Sequence, residues 1–191
     1  MVKRVAPFKV ADLFINRWSP RAMSGESITD FELMSLFEAA RWAPSSYNNQ
    51  PWRFIYAKRD SKNWSKFFDL LVDFNKQWAK NAAALVLLIS RKKFEYNDKP
   101  SRTHELDAGA ASENFSLQGF LNGLVVHGME GFDYDKSREV LGIPEDYTIL
   151  AMYAVGKPGK KEDLSKELQE REEMSDRKKI EEFVFEGNFK K

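Results

Sequence analysis

Cysteine is missing from all 191 residues. That excludes a disulfide framework, thiol catalysis and thiolate metal sites, and it fits a reducing compartment, so a cytoplasmic protein is expected. An excess of charge of either sign is missing too. With 30 basic and 29 acidic residues the net charge is +1, which gives neither nucleic acid nor an anionic membrane an electrostatic hold. Long apolar runs are absent: the longest, AAALVLLI at 82–89, is far too short to span a bilayer and reads as a buried strand. The N-terminal MVKRVAPFKVADLFINRW lacks the continuous apolar stretch of a secretory signal. His104 and His127 are the only histidines, without a carboxylate at zinc-helix spacing, so no metal is expected. The phosphate-binding patterns G-x-G-x-x-G and G-x-x-x-x-G-K-[ST] do not occur, nor does the nucleophile elbow G-x-S-x-G, and hydrolase chemistry has little support.

What is present describes a folded chain in which helices and strands alternate. A hydrophobic fraction of 42% with 14% aromatic residues is that of a globule able to bury a core. No repeat or low-complexity linker divides it, so 1–191 reads as a single domain. A short helix is expected at 10–16. A second is announced by Thr29 and Glu32, a capping box, with Leu33, Leu36, Phe37 and Ala40 at helical spacing and Pro44 ending it. Strands are predicted at 52–58, 83–90 and 148–156. An amphipathic helix is predicted over 64–79, and a long one over 105–128 that begins with the small residues Ala108, Gly109, Ala110 and Ala111. Glycine inside a helix costs roughly 1 kcal/mol, so this stretch points to close approach of another backbone or a ligand. Asp135 is expected to cap a further helix that stops at Gly142 and Pro144. From 157 charge dominates, and the final FVFEGNF turns apolar, as a segment does that docks on its own sheet or on a partner subunit.

Three segments are candidates for function. APSSYNNQPW, 43–52, sets Ser45, Ser46, Asn48, Asn49 and Gln50 between Pro44 and Pro51; hydroxyls and carboxamides without formal charge suit a flat, neutral, heteroatom-rich ligand. RWSPR, 17–21, places Ser19 between Arg17 and Arg21, whose planar paired donors can clamp a phosphate or a ring carbonyl, although a solvated basic turn reads the same way. GMEGFD, 128–133, frees backbone amides at Gly128 and Gly131 to face a ligand, or is simply a turn between helices.

Taken together and in this order, the three segments resemble the nitroreductase family of flavin-dependent oxidoreductases. Arg17, Ser19 and Arg21 match R-x-S-x-[RK]. Ala43, Pro44, Ser45, Ser46, Asn48, Gln50, Pro51 and Trp52 match A-P-S-S-x-N-x-Q-P-W at every fixed position. The stretch from Gly123 to GMEGFD, then LGIPEDY and the strand ending at Gly156, extends the likeness over roughly 10–180. The resemblance implies an α+β fold, with a central, mostly antiparallel sheet surrounded by helices, in an intertwined homodimer with FMN at its interface and the C-terminal tail, about 157–191, on the partner subunit. It implies that Arg17, Trp18 (through its backbone), Ser19 and Arg21 hold the phosphate, ribityl and pyrimidine end of FMN. Pro44, Ser45, Ser46, Asn48 and Gln50 line it from the neighbouring subunit. Glu130 and Gly131 present amides to flavin N5 and O4, Asn75 lies near the ring edge, and Arg177 completes the phosphate site. Ser175 stands where some relatives carry a second basic residue, with Lys178 or Lys179 as substitutes. The implied activity is hydride transfer from NADH or NADPH through FMN to a small electron-poor acceptor such as a nitroaromatic or quinone, with no catalytic side chain. A non-catalytic FMN store and a reductive dehalogenase stay open as alternatives. The charged and aromatic stretch 91–104 reads either as a substrate lid or as a solvated loop.

Overall fold

The most apolar run lies at the centre. In the computed structural model, which describes residues 4–189 of the chain, Ala84–Arg91 forms strand β2, with β1 (Trp52–Lys58) on one side and β4 (Tyr147–Gly156) on the other. The fourth strand, β3 (Val125–Met129), pairs with β4 at the edge, so the order is β1-β2-β4-β3 with every neighbour antiparallel. A register shift at Leu88/Ile89 bends β2 against β4. Alternation along β2 explains the uninterrupted hydrophobicity. Leu85, Leu87 and Ile89 face a core with Phe67, Trp78 and Met152, while Ala84, Val86 and Leu88 face one with Leu33, Leu36 and Phe115.

The second core is covered by α2 (Asp30–Arg41) and α5 (His104–Leu121). The capping box of α2 is formed: Thr29 Oγ1 accepts from Glu32 N (3.1 Å), and Glu32 Oε2 accepts from Thr29 N (2.7 Å). The first core is covered by α3 (Trp64–Phe68), α4 (Asp73–Ala79) and α6 (Tyr134–Leu141), with α7 (Lys166–Glu170) contributing Leu168. A short α1 (Asp12–Asn16) precedes them. Among the described residues no helix is long and apolar enough to cross a membrane.

Three expectations are corrected. The helix predicted over 64–79 is two, because the backbone at 70–72 bonds across to 131–133: Val72 N donates to Gly131 O (3.1 Å), and Leu70 O accepts from Asp133 N (2.8 Å). The long helix stops at Leu121, since Gly123 takes φ +70° and lets the chain reverse into β3. The cap of α6 is Asp133, whose carboxylate accepts from Lys136 N (2.9 Å), not Asp135. Within α5 the close-packed glycine is Gly119, where a Cβ would come 2.3 Å from Val126 Cγ2 of β3, while a Cβ on Gly109 would meet nothing within 4 Å among the described residues.

Beyond β4, Leu164 and Leu168 bury into the first core, while Phe183, Val184 and Phe189 are largely exposed. Residues 190–191 of the predicted tail, and 1–3 of the predicted domain, lie outside the described residues.

Candidate functional site

The polar loop is held in a conformation that its residues disfavour. Tyr47, Asn48 and Gln50 have φ of 52°, 53° and 47°, a left-handed region that costs a non-glycine residue on the order of 1–3 kcal/mol. Local bonds over-determine it: Ser45 Oγ accepts from Gln50 N (3.0 Å), Ser45 O from Asn48 N (3.1 Å), and Asn48 O from Gln50 Nε2 (3.0 Å). A buried carboxylate on α5, Asp107, anchors the whole turn by accepting from Ser46 N (3.1 Å). Asp107 was not foreseen, because one acidic residue in the first turn of a helix looks like ordinary dipole compensation.

The arginine segment is organised by groups distant in sequence. Glu172, 7% exposed, accepts from Arg21 N (2.7 Å) and Ala22 N (2.8 Å) through Oε1. Its other oxygen lies 4.0 Å from Arg21 Nη1. From β3, His127 Nδ1 donates to Pro20 O (3.0 Å) while the ring packs on Trp78, with centroids 4.5 Å apart. Burial, reinforced by the charge of Arg21 and opposed by the bond to Pro20, lowers the His127 pKa to about 4, so the imidazole is neutral at physiological pH. Arg21 Nε is buried without a hydrogen-bond partner among the described residues, and an unpaired cationic donor at a clamp is the kind of group a ligand satisfies. Trp18 and Pro20 border a neighbouring cavity of about 380 Å³ that Glu172 also lines.

Arg177 joins this region through Arg4. Arg4 donates to Arg17 O (2.8 Å) and Ser175 O (2.7 Å), while Arg177 Nη1 donates to Ser175 Oγ (2.9 Å). Partial burial and the positive charges of Arg177 and Arg17 lower the Arg4 pKa, which marks a local excess of positive charge suited to an anion. Ser175 thus anchors both arginines, its carbonyl accepting from Arg4 and its hydroxyl from Arg177. Nothing in the sequence around Arg4 signals this.

A third group forms where β3 ends. Asn75, 9% exposed, donates through Nδ2 to Gly131 O (3.0 Å). A Cβ on Gly131 would stand 2.6 Å from that nitrogen, so only glycine keeps the contact. Glu130 beside it is exposed.

The predicted residues therefore gather as three groups: Arg17, Trp18, Ser19 and Arg21 with Arg177; Pro44, Ser45, Ser46, Asn48 and Gln50; and Asn75 with Glu130 and Gly131. The first two attach to different faces of one helix. Ser46 is bonded to Asp107, whereas Arg17 lies 3.6 Å from Glu113. Six residues along α5 correspond to about 9 Å and roughly 120° around its axis.

Against the polar loop folds the stretch 92–101, closed on itself by Phe94 N to Lys99 O (2.9 Å) and Ser101 N to Lys92 O (2.8 Å). Tyr47 meets Phe94 edge-on at 5.7 Å and Tyr96 at 6.3 Å. Arg53 pairs with Glu95. Residues 47–50 with Arg53, Glu95 and Tyr96 line a cavity of about 360 Å³.

The model of the nitroreductase family matches residues 15–77 and 62–157. The chain belongs to the nitroreductase family. Among its relatives is a nitroreductase-family protein of Archaeoglobus fulgidus, provisionally named an NADH dehydrogenase/NAD(P)H nitroreductase, 28% identical over 156 residues that cover 80% of this chain and 87% of the relative. A crystal structure of an oxidoreductase containing FMN superimposes on this nitroreductase chain with TM-score 0.94 and 41% identity, covering 100% of this chain and 99% of that one. A provisionally named nitroreductase of Desulfovibrio desulfuricans, in complex with FMN, shares the fold at TM-score 0.71 and 22% identity over 94% of this nitroreductase chain and 96% of its own.

Proposed function

We propose that this chain binds FMN and works in the cytoplasm as an NAD(P)H-dependent oxidoreductase on a small electron-poor acceptor, a nitroaromatic, a quinone or a similar compound. The observation that carries the reading is that Arg4 bonds the backbone of Arg17 and of Ser175, to which Arg177 also bonds, so that the charges of Arg17 and Arg177, from opposite ends of the chain, act on Arg4; Arg21, in the same segment as Arg17, has a buried Nε without a partner among the described residues. Such a donor set fits a phosphate monoester and a ring carbonyl. Hydride chemistry between NAD(P)H and the acceptor is what FMN supplies when bound.

The chain binds and orients. Arg4, Arg17 and Arg177 hold the phosphate, with Arg21, Ser19 and the Trp18 backbone beside them. Pro44, Ser45, Ser46, Asn48 and Gln50 supply neutral donors and acceptors from a loop that is already in shape, so little ordering is left to bind against. Glu130 and Gly131 offer backbone amides, and Asn75 keeps Gly131 in place. Fixed dipoles and cations of this kind favour negative charge on a reduced ligand without a general acid.

We further propose a homodimer in which the polar loop of one subunit completes the site of the other, with the exposed apolar tail seated on the partner. The placement of the loop and the arginine segment on different faces of α5 favours this, as do the exposed Leu106, Phe183 and Val184.

The test is a visible spectrum of the purified protein with the released chromophore identified, followed by anaerobic NAD(P)H. Bound FMN that bleaches is expected. A colourless protein that cannot be reconstituted with FMN would sink the proposal, and FMN that stays oxidised would remove the oxidoreductase half of it.

A further inference from the structure

Asp107 does more than its place in α5 requires. It sits in the first turn of the helix, where a carboxylate ordinarily faces water, yet it is only 6% exposed. Its side-chain partners among the described residues are Ser46 N at 3.1 Å and the Thr103 hydroxyl at 3.4 Å, and neither is a cation. Burying a carboxylate without a cation is unfavourable, so core stability alone gives no reason to keep one.

The other end of the Ser46 bond is unfavourable too. Ser46 opens a turn in which Tyr47, Asn48 and Gln50 all take left-handed φ, a conformation that persists only where the surroundings over-determine it. Bonds inside the turn, Asn49 N to Ser46 O (3.0 Å) and Gln50 N to Ser45 Oγ (3.0 Å), fix its curvature but not its place in the molecule. Its place is set at two points. Glu95 N donates to Asn49 Oδ1 (3.0 Å) from a stretch that is itself exposed. Asp107 grips Ser46 from a helix whose Ala108, Ala111 and Phe115 are 0% exposed in the second core. Only the second point ties the turn to the body of the fold.

We infer that Asp107 is a positioning residue for the ligand of the polar loop, acting through Ser46 and not on the ligand itself. By accepting from Ser46 N it holds the turn, and with it Asn48 and Gln50, in the shape that receives the ligand. The ligand's identity rests on the flavin reading; the seating of the loop does not. A preset loop leaves little ordering to oppose binding. Without its anchor the receptive shape is one among several, and the apparent affinity falls in proportion to its population.

The experiment compares the full chain as wild type, Asp107→Ala and Asp107→Asn, by amide hydrogen exchange without flavin and then by titration with FMN. Asparagine keeps an oxygen for Ser46 N; alanine removes it. In Asp107→Ala, exchange over 43–52 should accelerate about tenfold while 84–91 is unchanged, and FMN should bind about tenfold more weakly. Asp107→Asn should recover most of both. A purely structural role would instead loosen 84–91 together with the loop, or lower the melting temperature and leave the FMN affinity of the folded protein unaltered. Either result would overturn the inference, as would an Asp107→Asn no better than Asp107→Ala, because the bond to Ser46 N would then be irrelevant. Should Asp107→Ala not fold, Asp107→Ser, polar but too short to reach Ser46 N, makes the same comparison. The two readings fail separately. A wild type that takes up no FMN refutes the flavin, and loosening confined to 43–52 in Asp107→Ala still upholds the seating of the loop. A wild type that binds FMN, with variants that bind it equally well, refutes the positioning role alone.

Discussion

Replacing Glu172 tests whether the arginine segment is preset by a buried carboxylate. Oε1 alone serves two backbone donors, Arg21 N at 2.7 Å and Ala22 N at 2.8 Å, while Oε2 adds a longer contact to Arg21 N (3.0 Å) and faces Arg21 Nη1 at 4.0 Å. Glu172→Gln can keep the first oxygen in place and loses the charge. Hydrogen bonds to a charged group are stronger than neutral ones by about 1 kcal/mol each, so a cost of about 2 kcal/mol is expected. Glu172→Ala strands both donors beside a half-buried guanidinium, for which about 4 kcal/mol is the appropriate scale. Urea denaturation should give the order wild type, Gln, Ala. A melting scan should show Ala lower by about 10 °C for a chain of this size. The same variants should weaken FMN about tenfold and riboflavin by less, because the proposed role of the segment covers the phosphate as well as the ribityl and pyrimidine end; equal weakening of both would show that the phosphate contacts do not depend on Glu172. An alanine variant within about 0.5 kcal/mol of wild type would refute the presetting role, since that is the scatter of ordinary surface substitutions. A glutamine variant as unstable as alanine would show that charge, and not backbone hydrogen bonding, holds the segment.

Two further outcomes follow from the same region. The folded His127 has its pKa lowered to about 4, so the unfolded chain takes up the proton first. Its contribution is intact above the unfolded value near 6.5 and is lost as pH falls toward 4, about 2 kcal/mol by pH 5 and roughly 3 kcal/mol at the limit; urea midpoints that stay flat from pH 7 to 5 would contradict a buried neutral imidazole. Gly131→Ala should displace the Asn75 amide, which a new Cβ would approach to 2.6 Å, costing about 1–3 kcal/mol and lowering the flavin content of the purified protein, whereas full flavin occupancy with unchanged melting would show that the contact is dispensable.

Local chemistry was readable in the residues themselves. The Thr29–Glu32 box, the strands at 52–58, 84–91 and 147–156, and the end of α2 before Pro44 depend on caps, alternation and prolines that act within a few positions. The polar loop was legible for the same reason, because its residue types and spacing are unusual for a surface turn. Val125–Met129 was not, since VVHGM suits the end of a helix as well as a strand, and only pairing with β4 decides between them. The break between α3 and α4 depends equally on partners at 131–133 that no local rule can see. The same limit applies to the site. Asp107, Glu172 and Arg4 look in sequence like solvated charges among 31% charged residues. Asp107 and Glu172 are set apart because folding removes them from water and leaves backbone donors as their partners; Arg4 is set apart because its guanidinium bridges segments that lie far apart in the chain. Sequence alone specified the segments that could hold a ligand. Which distant groups fix their shape was decided by tertiary structure, because a buried or bridging charge acts through whatever the fold sets within about 3 Å of it.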